Sequence, residues 1–203
     1  MTNQIIELVL YKLTHNPIGV KEIILNQTND ALSELNGFLY RKVYQDSEDP
    51  YIFLDFVVWE NKDDANEAAS SKSSNKKLSN FVNLIDKTII FEYFNFDNKH
   101  SINEKETDKI ELTVYELKEG DNFLINLLFS SFSNEIEKVK GYNNRILLQS
   151  LKNDTYWAEK IYWDSIEMAK ESEENLKHNP YIIEVNKIIS KNVVIKNYFN
   201  AFI

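Results

Sequence analysis

The chain repeats itself without a gap, and this duplication constrains the fold more than any other feature of the sequence. The segment Gly37-Phe38-Leu39-Tyr40-Arg41 returns as Gly141-Tyr142-Asn143-Asn144-Arg145, and Val57-Val58-Trp59-Glu60 returns as Ile161-Tyr162-Trp163-Asp164, in each case 104 positions later. The same offset relates Glu7 to Glu111 and Tyr11 to Tyr115. Such a repeat within 203 residues predicts two copies of one structural unit.

The repeat also places the boundaries of the two units. We predict a first unit over residues 1–96, a polar and charged linker over 97–108, and a second unit over 109–203. A unit of about 100 residues buries only about 60 to 70% of its unfolded surface when it folds alone. Two related units in one chain are therefore expected to bury a shared face.

The composition excludes several classes of partner. The net charge of −9 and pI near 4.9 disfavour nucleic acid and anionic membranes, which would repel the chain. Cysteine is absent, so no disulfide, thiol nucleophile or thiolate metal site is expected. The first apolar run contains Glu7 and Lys12 and follows no basic segment, so it is neither a signal peptide nor a membrane span. We expect a cytoplasmic protein.

Hydrophobic periodicity predicts the same order of elements in each half. In the first half, strands are predicted over 5–13, 38–45, 51–59 and 88–94, with one helix after Pro17 and another after Asn61. The order strand, helix, hairpin, helix, strand is that of a ferredoxin-like unit. In the first strand, Ile6, Leu8 and Leu10 line an apolar face, which we expect the helices to cover.

The hairpin should carry a pair of opposite charges in each half. Pairing that is symmetric about residue 48 places Arg41 opposite Asp55 and Gly37 opposite Trp59. The second copy then places Arg145 opposite Glu159, and Gly141 opposite Trp163.

Together, the first strand from Glu7 to Leu13, Gly37 with Arg41, and Val57-Val58-Trp59-Glu60-Asn61 resemble the antibiotic-biosynthesis monooxygenase-like group of dimeric α/β barrels. The resemblance implies an α+β fold. In it, two ferredoxin-like βαββαβ repeats pack sheet to sheet as an intrachain dimeric α/β barrel, with a small pocket between each sheet and its helices. The expected assembly is a monomer with pseudo-twofold symmetry or a homodimer.

The resemblance also carries expectations about cofactors. Members include cofactor-independent oxygenases of polycyclic phenols, quinol oxygenases, haem-degrading enzymes and proteins with no demonstrated activity. The haem-degrading branch has a histidine ten residues after the tryptophan, where this chain has Ala69 and Glu173. We therefore expect no cofactor and disfavour haem. No His-x-x-x-His or Glu-x-x-His pair exists, so no metal is expected either.

The candidate site residues follow from the charged pairs and the aromatic side chains. Arg41, Trp59, Tyr11 and His15 are the candidate catalytic residues. The candidate substrate-binding residues are Glu7, Tyr40, Asp55, Arg145, Trp157 and Trp163. Arginine would stabilise a developing enolate or phenolate, and a carboxylate would move protons. The alternative is structural, with the charges forming a buried ion network and the tryptophans filling the core.

Two functions remain open on the sequence. The first is a cofactor-independent monooxygenase-like protein that acts on or binds a small aromatic or polycyclic compound. The second is a non-catalytic protein that binds a small hydrophobic ligand or a partner on the same duplicated fold. A pocket with several convergent polar groups would favour the enzyme.

Overall fold

The computed structural model describes residues 4–71, 74–95, 109–118 and 122–203. The chain divides into two compact units, one of residues 1–106 with 200–203 and the other of residues 107–199. The predicted linker over 97–108 lies outside the described residues, so the predicted boundaries at 96 and 109 stay a prediction.

The first unit follows the predicted order of elements. Its first half contains β1 (Ile5–Leu13), α1 (Pro17–Glu22), a π-helical stretch (Ile23–Gln27) and α2 (Thr28–Ser33). The remaining elements are β2 (Phe38–Asp46), β3 (Ile52–Trp59), α3 (Lys62–Ser71), α4 (Lys76–Val82) and β4 (Ile85–Asn95). The N-cap of α1 is Asn16, whose side chain accepts a hydrogen bond from the backbone N–H of Ile18.

The second unit repeats this order with one longer helix. It contains β5 (Lys109–Leu117), α5 (Asn122–Ile136), β6 (Tyr142–Ser150) and β7 (Tyr156–Trp163), then α6 (Ile166–Leu176), α7 (Pro180–Ile188) and β8 (Ile189–Ala201). The longest of these helices, α5, has 15 residues. Within the described residues, no helix combines the length and apolar character needed to cross a membrane.

The strand order is the same in both units. In the first unit β1 pairs antiparallel with β3 and β4, and β3 pairs with β2, so the order is β4-β1-β3-β2. The second unit has the order β8-β5-β7-β6. This is the ferredoxin-like order, and the predicted α+β fold class of two βαββαβ repeats is confirmed.

The duplication is not ungapped in the last strand. Tyr93-Phe94-Asn95 in β4 matches Tyr198-Phe199-Asn200 in β8, and these residues are 105 positions apart rather than 104. Phe94 and Phe199 are both fully buried, which supports the match. One residue has therefore been added before Tyr198, and on the 105-residue offset Lys196 occupies the position that Phe91 holds in the first unit.

The predicted register of the hairpin is wrong by two residues. In the structure Arg41 lies opposite Val57, Asp55 lies opposite Val43, and Trp59 lies opposite Phe38. The turn is displaced because the Asp46 side chain accepts hydrogen bonds from the backbone N–H groups of Glu48 and Asp49, both at 2.8 Å. A shift by an even number keeps every side chain on its own face. Arg41 and Asp55 therefore remain close, as diagonal neighbours.

The second copy has the same displaced register. Arg145 lies opposite Ile161, Glu159 lies opposite Leu147, and Trp163 lies opposite Tyr142. The prediction of direct pairs is therefore wrong in this copy as well, both for Arg145 with Glu159 and for Gly141 with Trp163.

The prediction that helices cover the apolar face of β1 is also wrong. Tyr11, on the opposite face, packs in one cluster with Ile24, which lies in the π-helical stretch, and with Leu84. Arg41 is buried on that face and donates from Nη1 to the backbone oxygen of Ile24 at 2.6 Å. A buried guanidinium needs several acceptors, and the helical backbone supplies one. The mixed face of each sheet is therefore the one that can carry a polar site.

Candidate ligand-binding cavity in the second unit

In the first unit, three predicted site residues form one buried cluster. The Tyr11 hydroxyl donates to Asp55 Oδ1 at 3.0 Å, and Arg41 Nε donates to Asp55 Oδ2 at 2.8 Å. Arg41 Nη2 lies 2.7 Å from the same carboxylate oxygen. Burial raises the pKa of Tyr11 well above its usual value, and the Asp55 charge adds to the effect. The phenol therefore stays neutral and acts as a donor.

Arg41 has further partners on the helical side of the cluster. Its Nη1 donates to Asn29 Oδ1 at 3.0 Å as well as to Ile24 O. The guanidinium also lies 5.2 Å from the centre of the Phe81 ring, within range of a cation–π contact. The Arg41 guanidinium, which we predicted to be catalytic, is thus bonded to protein groups.

Glu7 and Trp59 form a second pair in the first unit. Trp59 Nε1 donates to Glu7 Oε2 at 3.0 Å, and both side chains are buried. The five predicted residues therefore form two separate hydrogen-bonded groups, Tyr11 with Asp55 and Arg41, and Glu7 with Trp59, in the manner of the structural alternative.

The other predicted residues lie apart from this cluster. His15 is exposed in the loop after β1, where its Nδ1 lies 2.5 Å from the Thr14 hydroxyl. Tyr40 is half-buried on β2. Trp157 donates from Nε1 to the backbone oxygen of Asp154 at 3.0 Å. Its ring packs on Phe129 with 5.3 Å between centres.

The second unit contains a cavity of about 310 Å³ between its sheet and the helices α5, α6 and α7. Its walls include the aromatic rings of Phe129 and Phe132. The polar residues at the cavity that matter here are Glu111, Tyr115, Arg145, Glu159, Trp163 and Lys196. Arg145 and Trp163 were predicted from the sequence to bind substrate, and both line this cavity.

Three of these side chains carry buried donor atoms without a partner. Among the described residues, no acceptor is bonded to the Tyr115 hydroxyl, to Trp163 Nε1 or to Arg145 Nη2. Each side chain is more than nine-tenths buried. Leaving a buried donor unsatisfied costs about 1–3 kcal/mol, so a ligand that supplies acceptor oxygens would recover this energy.

The remaining nitrogens of Arg145 are held much as in Arg41. Nε donates to Glu159, and Nη1 donates to Ser133 Oγ at 2.5 Å and to Phe129 O at 3.3 Å. The guanidinium lies 4.6 Å from the centre of the Phe132 ring. Arg145 is therefore fixed in position, and its Nη2, like Nη2 of Arg41 in the first unit, makes no hydrogen bond within the described part of the chain.

A second group of charges lies at the edge of the cavity. Lys196 Nζ is 3.2 Å from Glu111 Oε1 and 2.9 Å from Glu173 Oε1. Burial raises the pKa of Glu111, and the charge of Lys196 offsets part of that effect. Burial lowers the pKa of Lys196, but the two carboxylates outweigh this, so its pKa is raised overall.

The candidate residues predicted from the sequence left out five residues that lie at this cavity. The 104-residue offset relates Glu111, Tyr115 and Glu159 to Glu7, Tyr11 and Asp55, but none of the three was placed among the candidates. Lys196 and Glu173 have no such signal, because they stand where the first unit has Phe91 and Ala69. Their importance appears when the two units are compared in three dimensions.

No family model matches this sequence, and no curated protein matches it significantly by sequence. The similarity to other proteins therefore comes from structure.

Three solved structures show the range of proteins that share the fold. An anthrone oxidase-like protein matches with a TM-score of 0.74 and 11% identity, over 99% of this chain and 92% of that one. A candidate chlorite dismutase matches with a TM-score of 0.75 and 12% identity, over 100% of this chain and 96% of that one. A candidate monooxygenase from Fusobacterium nucleatum matches with a TM-score of 0.66 and 12% identity, over 98% of this chain and 92% of that one.

These matches correct the expectation that the chain takes no cofactor and that haem is disfavoured. Chlorite dismutase-like proteins bind haem, and they share the fold over the full chain. The expectation was wrong because it rested on one histidine of a single haem-degrading branch, whereas other proteins that share the fold also bind haem.

The residues that line the cavity can be compared with the usual ligands of haem iron. Haem iron is usually held by His, Cys, Met or Tyr. The described lining contains none of the first three, and burial raises the pKa of Tyr115 so that its phenol stays protonated. No group of three or more His, Cys, Asp or Glu side chains that could hold a metal ion is found in the described ranges. The lining of this cavity does not fit haem ligation, so no step is assigned to haem here.

The structural matches cover both units and include several activities. Anthrone oxidase-like, monooxygenase and chlorite dismutase proteins all belong to the dimeric α/β barrel superfamily. Full coverage at 11 to 12% identity establishes the fold and leaves the activity to the site. The predicted resemblance is thus confirmed for the fold, which this chain shares with these dimeric α/β barrel proteins.

Proposed function

We propose that this chain is a monooxygenase-like protein whose second unit binds a small aromatic compound through an oxygen that accepts hydrogen bonds. The observation that carries the proposal is the set of three buried donors, on Tyr115, Arg145 and Trp163, which have no partner among the described residues and line one cavity. Donors in this state favour a ligand rich in acceptors.

The walls and the size of the cavity support an aromatic ligand. Phe129 and Phe132 offer ring faces and edges for stacking. A cavity of about 310 Å³ lies at the lower end of the range for small-molecule pockets, about 300 to 1,000 Å³. This size fits a compound of one to three fused rings better than a larger one.

Binding without catalysis is the second candidate. One observation favours it: the Tyr115 phenol is protonated at neutral pH, because burial and then the Glu159 charge raise its pKa. Tyr115 therefore serves as a donor and not as a base. Glu111, whose pKa burial raises, is the group at the cavity best suited to accept a proton if a reaction occurs.

Calorimetric titration with a panel of anthrones, quinols and hydroxynaphthalenes tests the proposal. We expect at least one compound to bind, and we expect Tyr115→Phe to weaken that binding about tenfold through loss of one hydrogen bond. Tyr11→Phe is the matched control in the first unit and should leave the affinity unchanged. Failure of the whole panel to bind, or an equal effect of the two variants, would contradict the proposal.

Oxygen consumption separates the two candidates. The same compounds are tested in an oxygen electrode, with and without added haemin. Uptake above buffer supports an oxygenase, and the haemin arm shows whether that cofactor takes part. Binding without uptake in either arm supports the non-catalytic protein.

A further inference from the structure

Two residue differences distinguish the cavity of the second unit from the corresponding region of the first unit. Lys196 stands where the first unit has Phe91, and Glu173 stands where it has Ala69. These residues form an ion pair across 2.9 Å between β8 and α6. In the first unit Phe91 instead packs edge-on against Tyr93, with 5.3 Å between ring centres.

The equivalent glutamates take different partners as a result. In the first unit the Glu7 carboxylate accepts the Trp59 indole N–H at 3.0 Å. In the second unit the Glu111 carboxylate lies 3.2 Å from Lys196 Nζ, and Trp163 Nε1 has no acceptor within the described residues. A carboxylate binds an ammonium more strongly than it binds a neutral N–H, so Glu111 pairs with Lys196 rather than with the Trp163 indole.

We propose that Lys196 is a positioning residue that holds the Glu111 carboxylate away from the Trp163 indole and so leaves that donor available to a ligand oxygen. By this means Lys196 determines that the second unit takes the ligand and the first does not. The second statement rests on the proposed function, whereas the first can be tested without any ligand.

The geometry gives Lys196 two anchors for this role. Glu173 holds the ammonium group from the side of α6, and it also accepts from the Tyr198 hydroxyl at 2.9 Å. The lysine side chain is about one-third exposed, and its partner Glu111 is buried. Lys196 is thus fixed at the rim of the cavity, where it can reach Glu111 without filling the space that a ligand would occupy.

The test replaces Lys196 and observes the indole N–H signals by ¹⁵N–¹H NMR. Lys196→Phe installs the residue of the first unit, and Lys196→Met removes the charge while it keeps most of the apolar stem. Lys196→Arg retains the charge and serves as the matched control. The Trp163 signal is assigned with Trp163→Phe.

In Lys196→Phe and Lys196→Met, we expect the Trp163 N–H proton to move downfield toward the position of the Trp59 signal, because Glu111 becomes its acceptor. The affinity for a compound from the panel should fall about tenfold. Lys196→Arg should keep both the signal and the affinity of the parent chain. The double variant Ala69→Glu with Phe91→Lys should move the Trp59 signal upfield.

The outcomes separate the two claims. An unchanged Trp163 signal in both uncharged variants would overturn the positioning role, whatever the chain binds. A shifted signal with unchanged affinity would overturn the link between this donor and the ligand. A shifted signal in a chain that binds no compound of the panel would support the positioning role and contradict the proposed function.

Discussion

At the scale of single residues, the same side chain has different partners in the two units. Tyr11 and Tyr115 are equivalent and fully buried, yet the first donates to Asp55 while the second has no acceptor among the described residues. Tyr11→Phe should lower the free energy of unfolding by about 1.5–3 kcal/mol, the range for a hydrogen bond to a charged group. Tyr115→Phe should change it by less than about 0.5 kcal/mol or raise it. Urea denaturation of both variants measures this, and equal losses would contradict the account.

The buried carboxyl of Glu111 gives a prediction for pH. Burial raises its pKa above the ordinary value of 4.5, so the folded chain holds this proton more tightly than the unfolded chain does. The stability from that proton is fully present below the unfolded pKa and is lost as the pH rises through the higher folded value. Glu111→Gln, which cannot ionise, lacks this loss.

As the pH rises from below 4.5 through the raised pKa of Glu111, the parent chain should therefore lose stability relative to Glu111→Gln. Chemical denaturation of both proteins across this range is the measurement. A difference that stays constant with pH would show that the carboxyl titrates normally in the folded chain.

The sequence identified the charge pairs correctly, but it did not show which donor atoms find a hydrogen-bond acceptor. Arg41 with Asp55 and Arg145 with Glu159 were identified as charge pairs, and both pairs are in contact. Whether the donors of Tyr115 and Trp163 have a partner depends on the positions of side chains that are far apart in the sequence. Composition and spacing carry no information at that level.

At the scale of secondary structure elements, one glycine in each unit lies between the first helical segment and the hairpin. Gly37 and Gly141 have φ of 68° and 86°, the left-handed conformation that favours glycine. A Cβ on Gly37 would lie 2.0 Å from Asp64 Oδ2, and one on Gly141 would lie 2.4 Å from Met168 Sδ. Asp64 is tied to Asn61 by two hydrogen bonds, whereas a methionine side chain can move.

Gly37→Ala should therefore cost more stability than Gly141→Ala, and both should cost about 1–3 kcal/mol. Gly19→Ala is the control, because nothing lies within 4 Å of its added methyl group inside α1, and it should stabilise the chain by up to about 1 kcal/mol. Thermal unfolding of the three variants tests the order. A Gly37→Ala chain as stable as the parent would contradict it.

The succession of elements was predictable, but their register and facing were not. Alternation and turn residues placed all four strands of the first unit, although β4 begins at Ile85 rather than Thr88. The register depends on hydrogen bonds that the Asp46 side chain makes within the turn, which symmetric pairing ignores. The face beneath the helices was misassigned because apolar content was taken as the guide, whereas Arg41 needs acceptors from the helical side.

At the scale of the whole molecule, the chain has two units of one topology with different chemistry on the helix-covered side of each sheet. In the first unit the donors of Tyr11 and Trp59 are bonded to carboxylates, whereas in the second the equivalent donors of Tyr115 and Trp163 have no described partner and lie beside a cavity. The duplication predicted the shared topology. The duplication did not predict the difference in hydrogen bonding between the units, because Lys196 and Glu173 lie at positions where the two repeats have different residues.

A single site in two similar units predicts the stoichiometry of binding. One molecule of ligand should bind per chain, and Tyr115→Phe should weaken it while the stoichiometry stays at one. Isothermal titration gives both values together. Two equivalent sites per chain would show that the first unit opens as readily as the second.

The most direct test is a crystal structure of the chain with a bound compound from the aromatic panel. We predict that the compound lies in the second unit between Phe129 and Phe132, with an oxygen atom within hydrogen-bond distance of Tyr115, Arg145 or Trp163. A compound bound instead against Tyr11, Arg41 and Trp59 in the first unit would contradict the account.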